Sequence, residues 1–382
     1  MVENMISFLC SLLSFAIIIN LIVVVHEYGH FQAARRAGVT VSKFSIGMGP
    51  ELFGFTDKLG TRWCFAAFPV GGYVLMLGDG DISSTTDNSE EIAKLSEEEK
   101  QHTFESKTNW QKMWIAFCGP LFNYIYAIVV LIFMGFFVGI PKYAPIAETV
   151  KAGSPADLCG MHVGDKILSI DGKPVNNFRD VTLGIHFSEG ETIKFEIERA
   201  GDIHEVIVHP EIIEEKKPWG SVRKRKVVGI GSGSPIFEKS GFVDSVVNAF
   251  KFCWKSTVEM SGLFGRLFSG KSSIDNFGGV VQIARTSGNL SQSGSIGLLI
   301  MFTITLSLNL GFINLLPLPI LDGGRIVISM IEQIIGRKVN EKFLEYIMVA
   351  CMILLIFVML LTTVNDIFNI EMVRNFVSNF MR

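Results

Sequence analysis

Charged residues are scarce in this sequence: Asp, Glu, Lys and Arg make up 19% of its 382 residues, against roughly 25% in soluble domains. Hydrophobic residues make up 49% of the chain, with 31 Phe, and the mean hydropathy is +0.40. This balance predicts a membrane protein. The chain also lacks a positive excess, since its formal net charge is -3. A nucleic-acid-binding function, which needs a basic face, is therefore excluded.

Paired cysteines are also absent. The six Cys are scattered, and none forms a CxxC motif, which disfavours both a disulfide framework and a cysteine-rich zinc site. The N-terminal segment MVENMIS lacks the basic residues that open a secretory signal. We therefore expect the first apolar run to remain in the protein as a membrane span.

Four apolar segments are long enough to cross a hydrocarbon core of about 30 Å, which takes about 20 helical residues. The sequence thus predicts a multi-pass α-helical membrane protein with four transmembrane helices, in residues 1–38, 112–140, 297–324 and 345–365. Lys and Arg concentrate between the first two spans and between the last two, so these loops are predicted to be cytoplasmic. Both termini and the segment between the second and third spans then lie on the extracytoplasmic side.

The segments that connect the apolar runs differ from one another in composition and pattern. Residues 39–111 begin with β-branched and aromatic residues punctuated by glycine, which predicts a membrane-associated β-hairpin, and continue with acidic, polar residues. Residues 144–212 alternate short strands, turn signals and one helix, which predicts an inserted α+β domain. Residues 213–296 are predicted to be an extracytoplasmic linker with amphipathic helices, most clearly in 242–269.

The first apolar run ends in HEYGH, residues 26–30. Ionisable groups within a membrane span are costly and usually functional. His26 and His30 are four residues apart, so a helix directs both imidazoles at one metal ion. Glu27 lies beside them, where its carboxylate can take a proton from a water at the metal. The pattern predicts a catalytic zinc site; the alternative, a chance match, leaves a buried charge uncompensated.

Two histidines leave such a site one protein ligand short. The other five His lie in the polar loop or in 144–212, whereas Asp322 follows the third apolar run at the depth predicted for the histidine pair. We assign Asp322 as the third ligand; the alternative is an Asp-Gly turn. Pro317 and Pro319 break the helix just before it, as expected where backbone lines a cavity. Asn314 is a candidate for binding a substrate backbone or an oxyanion, or for an interhelical hydrogen bond.

These motifs resemble the site-2 protease family of intramembrane zinc metalloproteases, in its bacterial RseP-like branch. The HExxH motif stands at His26–His30, the NxxPxPxLDG motif at Asn314–Gly323 and the GPxxN motif at Gly119–Asn123. FPVGGYV, Phe68–Val74, is similar to the family's β-hairpin, and FGGVVQIA, Phe277–Ala284, is similar to its GPVGI segment. The resemblance covers nearly the whole chain.

The resemblance implies one zinc ion held by His26, His30 and Asp322, with Glu27 as the general base. It also implies a PDZ-like domain in 144–212, a single module where some relatives carry two in tandem. The implied substrates are transmembrane segments of single-span membrane proteins, such as anti-sigma factors or signal-peptide remnants, after a first cut by an upstream site-1 protease. The implied location is a bacterial inner membrane, although plastid relatives share this plan.

A helical substrate must unwind before one of its carbonyls can reach a metal. We expect the edge of the hairpin, at Gly71 and Gly72, to receive the substrate as an added strand. Two other classes of function stay open at this point, a catalytically silent scaffold that binds partners through the PDZ-like domain and a zinc transporter. The scaffold has no need for an intact ligand set, and the transporter would need ligands in the second and fourth spans, which offer none.

Overall fold

The chain divides into two compact units, one formed by Met1–Phe133 together with Val243–Arg382 and the other by Met134–Phe242. Residues 80–94 of the predicted acidic segment and the first two residues of FGGVVQIA lie outside the residues described. The residues that the computed structural model describes are 2–79, 95–216, 222–269 and 279–368.

Helices dominate the first unit and strands dominate the second. The helices, in chain order, are α1 (Val2–Arg36), α2 (Glu97–Gln101), α3 (Asn109–Phe133), α4 (Pro155–Leu158), α5 (Phe178–Phe187), α6 (Phe242–Phe268), α7 (Val280–Gln292), α8 (Ile296–Asn314), α9 (Asp322–Ile335) and α10 (Glu341–Phe368). The strands are β1 (Val41–Thr56), β2 (Arg62–Met76), β3 (Ile140–Lys142), β4 (Thr149–Val150), β5 (Lys166–Ile170), β6 (Lys173–Pro174), β7 (Ile193–Arg199), β8 (Asp202–Val208), β9 (Glu211–Lys216), β10 (Val222–Val227), β11 (Ile230–Gly231) and β12 (Ile236–Glu238).

Four helical segments in the described part of the chain are long and apolar enough to cross a membrane. They are Leu9–Arg36, Asn109–Val138, Ile296–Asn314 and Lys342–Ile367. The second includes a short π-helix that continues α3. Long runs of apolar residues of helical propensity favour these helices, because a helix satisfies its own backbone hydrogen bonds inside lipid. The set fits the predicted multi-pass membrane protein.

The third predicted span, 297–324, is not one helix. α8 ends at Asn314, and a separate helix, α9, begins at Asp322. Pro317 and Pro319 cannot donate backbone hydrogen bonds and so stop the first helix. The second helix can start close to the intervening turn because its second and third residues are glycines. A Cβ on either glycine would lie 2.1 to 2.4 Å from backbone oxygens of the turn.

In the β1–β2 ribbon, the last segment of β2, residues 72–76, forms a free edge. Residues 43–46 of β1 have two neighbours, 72–75 and 62–65 of β2. Ile46 stands opposite Gly72, and Val41 opposite Met76. In the described part of the chain no further strand pairs with residues 72–76. The backbone of this edge strand is therefore open on one side.

This ribbon packs along the first candidate span, which fits the predicted membrane-associated hairpin. The side-chain amide of Asn20, within that span, donates to the carbonyl of Pro69. Closer to the end of α1, the ring of Phe31 packs edge-on against Phe44 and Trp63, which stack on each other. The ribbon thus follows α1 from Asn20 to the end of the helix.

Two ion pairs join the chain segments between spans. Arg325 pairs with Asp79 at 3.0 Å, and Lys338 pairs with Glu105. Each pair links the segment between the first two spans to the segment between the last two. These two segments therefore lie on the same side of the helices.

The second unit is an α+β fold around one hydrophobic core. Its main sheet is antiparallel with strand order β6-β5-β7-β8. Phe178 and Val181 of α5 pack into the same core as Ile167 and Phe195 of the sheet. The unit is larger than the expected 144–212 module because β3 pairs with β12 and β4 with β11. Residues on both sides of the module therefore belong to the same fold.

One carboxylate anchors the turn of the β1–β2 ribbon to the end of α1. Asp57 accepts hydrogen bonds from the guanidinium of Arg35, from Trp63 Nε1 and from the backbone N–H groups of Leu59 and Thr61. Burial alone would raise the pKa of Asp57. The hydrogen bonds outweigh burial, because they favour the ionised form, and lower the pKa to about 2.

Asp57 should therefore stabilise the fold in a pH-dependent way. Because its pKa in the fold lies below the usual 3.8, the stabilisation is complete above about pH 4 and is lost as the pH falls toward 2. We expect Asp57→Asn to lower the free energy of unfolding by about 1 to 2 kcal/mol at pH 7, measured by denaturant unfolding in detergent micelles. The difference from the wild type should shrink below pH 3.

Glu51→Gln is the matched control, since it removes an exposed partner of Arg62 in the same ribbon. An equal loss of stability in this variant, or none in Asp57→Asn, would contradict the anchoring role.

Candidate metal centre

Three ionisable side chains from distant parts of the chain converge in the first unit. α1 supplies His26 and His30 from successive turns, and Asp322, the first residue of α9, supplies a carboxylate. The two Nε2 atoms are 3.2 Å apart. Asp322 Oδ2 lies 3.1 Å from His26 Nε2, and Oδ1 lies 3.4 Å from His30 Nε2. The three groups can each offer one ligand atom to a single metal ion.

The arrangement of these atoms fits zinc. Ligand atoms at about 2.0 to 2.2 Å from a tetrahedral zinc ion stand about 3.3 Å from one another, close to the separations in the triangle. His26 and His30 are 6% and 8% exposed. Asp322 Oδ2 is buried and receives no hydrogen bond from the described residues. A zinc ion bound by all three side chains would satisfy this carboxylate oxygen, which is otherwise a costly orphan.

Helix α3 fixes the orientation of His30. The Nδ1 of His30 is 2.8 Å from the carbonyl oxygen of Ile115. As the donor in this hydrogen bond, Nδ1 carries the proton, so the lone pair of Nε2 is free for a metal. Pro120, inside the same helix, has no N–H to donate to the carbonyl of Ala116. The carbonyl of Ala116, a residue that lines the cavity, therefore lacks its usual helical donor.

Asn123 performs the corresponding task for His26. Its side-chain amide is fully buried and lies 3.2 Å from His26 Nδ1, while its Oδ1 has no hydrogen-bond partner among the described residues. Rotating the amide by 180°, which exchanges atoms of similar size, places Oδ1 opposite a protonated Nδ1. Both groups are then satisfied, and Nε2 of His26 is free for a metal.

Two glycines allow α1 and α3 to come this close. A Cβ on Gly119 would lie 2.3 Å from His30 Nε2, and a Cβ on Gly29 would lie 2.3 Å from the carbonyl oxygen of Cys118. Any larger residue would force the helices apart. Small residues at a crossing of two membrane helices are a usual means of close approach, and here they bring α3 to the histidine pair.

A cavity of about 260 Å³ adjoins the three ligands. Glu27 lines it, and its carboxylate accepts a hydrogen bond from the backbone N–H of Val74. Asn314 lines it as well, with Nδ2 3.3 Å from His26 Nε2. The edge-strand residues Tyr73–Met76 form one wall. A polar cavity therefore lies between the ligands and an open strand edge.

Gly71 and Gly72 are not among the residues that line this cavity. Gly71 has a positive φ of 89° and stands at the start of the edge strand, one residue before Gly72. The wall is formed by Tyr73–Met76 instead. Direct contact of the two glycines with substrate stays a prediction.

The GPxxN resemblance includes Asn123 without assigning it a role, and the predicted substrate edge at Gly71 and Gly72 adjoins the cavity wall Tyr73–Met76 but does not include it. A polar side chain inside an apolar run was the available signal for Asn123, because such residues usually hydrogen-bond within a bundle. For Tyr73–Met76, the FPVGGYV segment indicates a hairpin, but no local pattern shows which part of a strand will face a distant helix.

Removing the partner of His26 should weaken metal binding. We expect Asn123→Ala to lower zinc affinity about 10- to 100-fold, measured by competition with a chelator on the purified protein. Tyr124→Phe, which removes a hydrogen bond to Thr257 of α6, should bind zinc like the wild type. Unchanged affinity in Asn123→Ala would show that Asn123 does not orient His26.

Comparison with known proteins bears directly on this site. Residues 14–358 match Peptidase family M50. A protein of Mesorhizobium japonicum named "Putative zinc metalloprotease" is 34% identical over 367 residues, which cover 94% of this chain and 99% of that protein. A protein of Rickettsia conorii with the same description is 33% identical over 369 residues, again 94% and 99% of the two chains. Metalloprotease MmpA of Caulobacter vibrioides is 31% identical over 360 residues, 89% of this chain and 90% of MmpA.

The match covers most of the chain, including both segments that supply the ligand triangle. This extensive similarity to zinc metalloproteases, together with a ligand triangle that fits zinc, favours an enzyme over a scaffold or a transporter. The chain belongs to Peptidase family M50, the site-2 protease family, and is a membrane-associated zinc metalloprotease.

Proposed function

We propose that this enzyme is an intramembrane endopeptidase, which hydrolyses peptide bonds in the transmembrane segments of single-span membrane proteins. The main support is one observation: His26, Glu27 and His30 lie in a candidate membrane span, and together with Asp322 they line a cavity beside a free strand edge. A soluble protease has no need to build its site within such a helix, where ionisable groups are costly.

The residues of the site divide the hydrolysis between them. His26, His30 and Asp322 would hold zinc, which supplies Lewis acidity toward the peptide carbonyl and toward water. Glu27 takes the proton that water loses as its oxygen bonds to the carbonyl carbon. It then passes this proton to the nitrogen as the C–N bond breaks, so that the products are a carboxylic acid, which keeps the other proton of the water, and an amine. Asn314 is placed to donate a hydrogen bond from its amide to the carbonyl oxygen.

The edge strand is the proposed binding site for the unwound substrate. Successive N–H groups of a strand point in opposite directions. Because the N–H of Val74 points toward Glu27, the N–H of Gly72 points to the same open side. An extended peptide could pair with this side, which would hold its backbone next to the metal ligands.

The proposal extends to the role of the second unit and to the membrane in which the enzyme lies. The second unit's four-stranded antiparallel sheet with a packed helix supports a PDZ-like domain, which we place on the extracytoplasmic side of a bacterial inner membrane. There it would act on substrates already cut by an upstream site-1 protease, either by recruiting them or by excluding uncut ones. The Lys- and Arg-rich segments that share one side of the helices would then be cytoplasmic.

The enzymatic proposal is tested by co-expression with a tagged single-span membrane protein. We expect Glu27→Gln to reduce cleavage about 10²- to 10⁴-fold while zinc content stays near one per chain. His26→Ala should lose both zinc and cleavage. Cleavage that persists in Glu27→Gln, with the wild-type rate measured in the same membranes, would exclude Glu27 as the base.

The edge-strand proposal is tested by removing one N–H group. Gly72→Pro removes an N–H on the open side of the edge strand, whereas the matched control Gly72→Ala also adds a Cβ and keeps the N–H. We expect the proline variant to cleave a transmembrane substrate at least roughly tenfold more slowly than the alanine variant, with equal zinc content. Equal rates for the two variants would rule out strand addition at this edge.

A further inference from the structure

One ion pair on the cavity wall joins the edge strand to the helix that carries Asp322. Arg325 Nη1 donates to Asp79 Oδ2 at 3.0 Å, and both residues line the cavity. Asp79 follows the last residue of the edge strand by three positions, and Arg325 lies one helical turn after Asp322. The Asp79 side chain is 18% exposed and that of Arg325 is 43% exposed, so the pair is partly shielded from water.

The position of Arg325 is unfavourable for the helix itself. A cation in the first turn of a helix faces the positive end of the helix dipole, and Arg325 is the fourth residue of α9. Among the described residues that line the cavity it is the only Lys or Arg. The nearby carboxylates of Asp79, Asp322 and Glu27 attract it electrostatically and offset the dipole. The helix dipole therefore disfavours a cation at this position, and the pairing with Asp79 offsets that cost.

Both ends of the ion pair are attached to fixed backbone. On the strand side, Leu77 donates to the carbonyl of Thr40 at 2.9 Å, and Phe104 donates to the carbonyl of Leu77 at 2.7 Å. On the helix side, the first turn of α9 is held against the preceding turn through Gly324, whose N–H donates to Leu321 at 3.0 Å. The pair thus connects two firmly held walls of the cavity.

We propose that the Asp79–Arg325 pair is a positioning element that fixes the gap between the edge strand and the metal-ligand helix. This inference rests on the proposed function, because an extended substrate backbone would have to lie in that gap. Neither residue is assigned contact with the reacting atoms. Loss of the pair would let the two walls separate, so the substrate strand would bind less tightly, while the ligand triangle keeps its own contacts through α1 and α3.

The test uses the full-length, zinc-loaded enzyme in liposomes with a single-span substrate. We expect Arg325→Gln and Asp79→Asn each to raise KM about threefold to tenfold, with kcat changed less than twofold and zinc content unchanged. The double variant should be no worse than either single variant, because one interaction is lost only once. Arg325→Lys should recover part of the loss.

A second readout does not depend on cleavage. Hydrogen exchange of the backbone amides in residues 72–79 should be faster in Arg325→Gln and Asp79→Asn than in the wild type. Lys338→Gln is the matched control, because the Lys338–Glu105 pair joins the same two chain segments and neither of its residues lines the cavity. This variant should match the wild type in KM and in exchange of residues 72–79.

Three results would overturn the inference. Both single variants could match the wild type in KM and in amide exchange. Arg325→Gln could lose zinc in proportion to its loss of cleavage, which would indicate a structural role at the ligands. Arg325→Gln could be inactive while Asp79→Asn is normal, which would indicate that Arg325 acts on the reacting atoms. Failure of the proposed function looks different, since the wild type would then show no Glu27-dependent cleavage.

Discussion

The structure depends on the cost of placing ionisable groups inside a membrane span. Two imidazoles and a carboxylate stand within 3.4 Å of their nearest neighbours, and in a low-dielectric environment such a cluster is tolerated only when its charges and lone pairs are satisfied. A divalent cation satisfies them together. The close approach of α3 at Gly119 and the hydrogen bonds that the imidazoles make with Ile115 and Asn123 orient the two histidines in this triangle.

The same constraint explains the irregular backbone around the site. Unpaired backbone groups at membrane depth are tolerated where they line a cavity rather than face lipid. The break between α8 and α9 and the open edge of β2 both adjoin the cavity. The break lets α9 present Asp322 at its first residue, and the edge presents N–H and C=O groups left unpaired by the described strands, with which the proposed substrate strand would pair. Irregularity is thus concentrated where hydrolysis requires access to an extended chain.

The segments outside the spans hold the ribbon and the helices in place through hydrogen bonds and ion pairs. The β1–β2 ribbon is tied to α1 by the Asp57 network at one end and by Asn20 at the other. Ion pairs then tie the first interhelical segment to the third. The parts of the site that come from distant regions of the chain are therefore held by contacts of several kinds. The second unit is a separate fold with its own core, and none of its described residues lines the cavity beside the metal ligands.

Local sequence patterns determined the membrane class, the zinc-binding histidine pair and the break at Pro317 and Pro319, because hydropathy, helical period and proline chemistry each act over a few residues. They could not show that a further helix, α9, begins at Asp322. They also could not show that Asn123 faces His26 or that Tyr73–Met76 forms the cavity wall. Those facts depend on how helices and strands distant in sequence pack together. Only tertiary structure brings the carboxylate to the imidazoles and sets the distance between them.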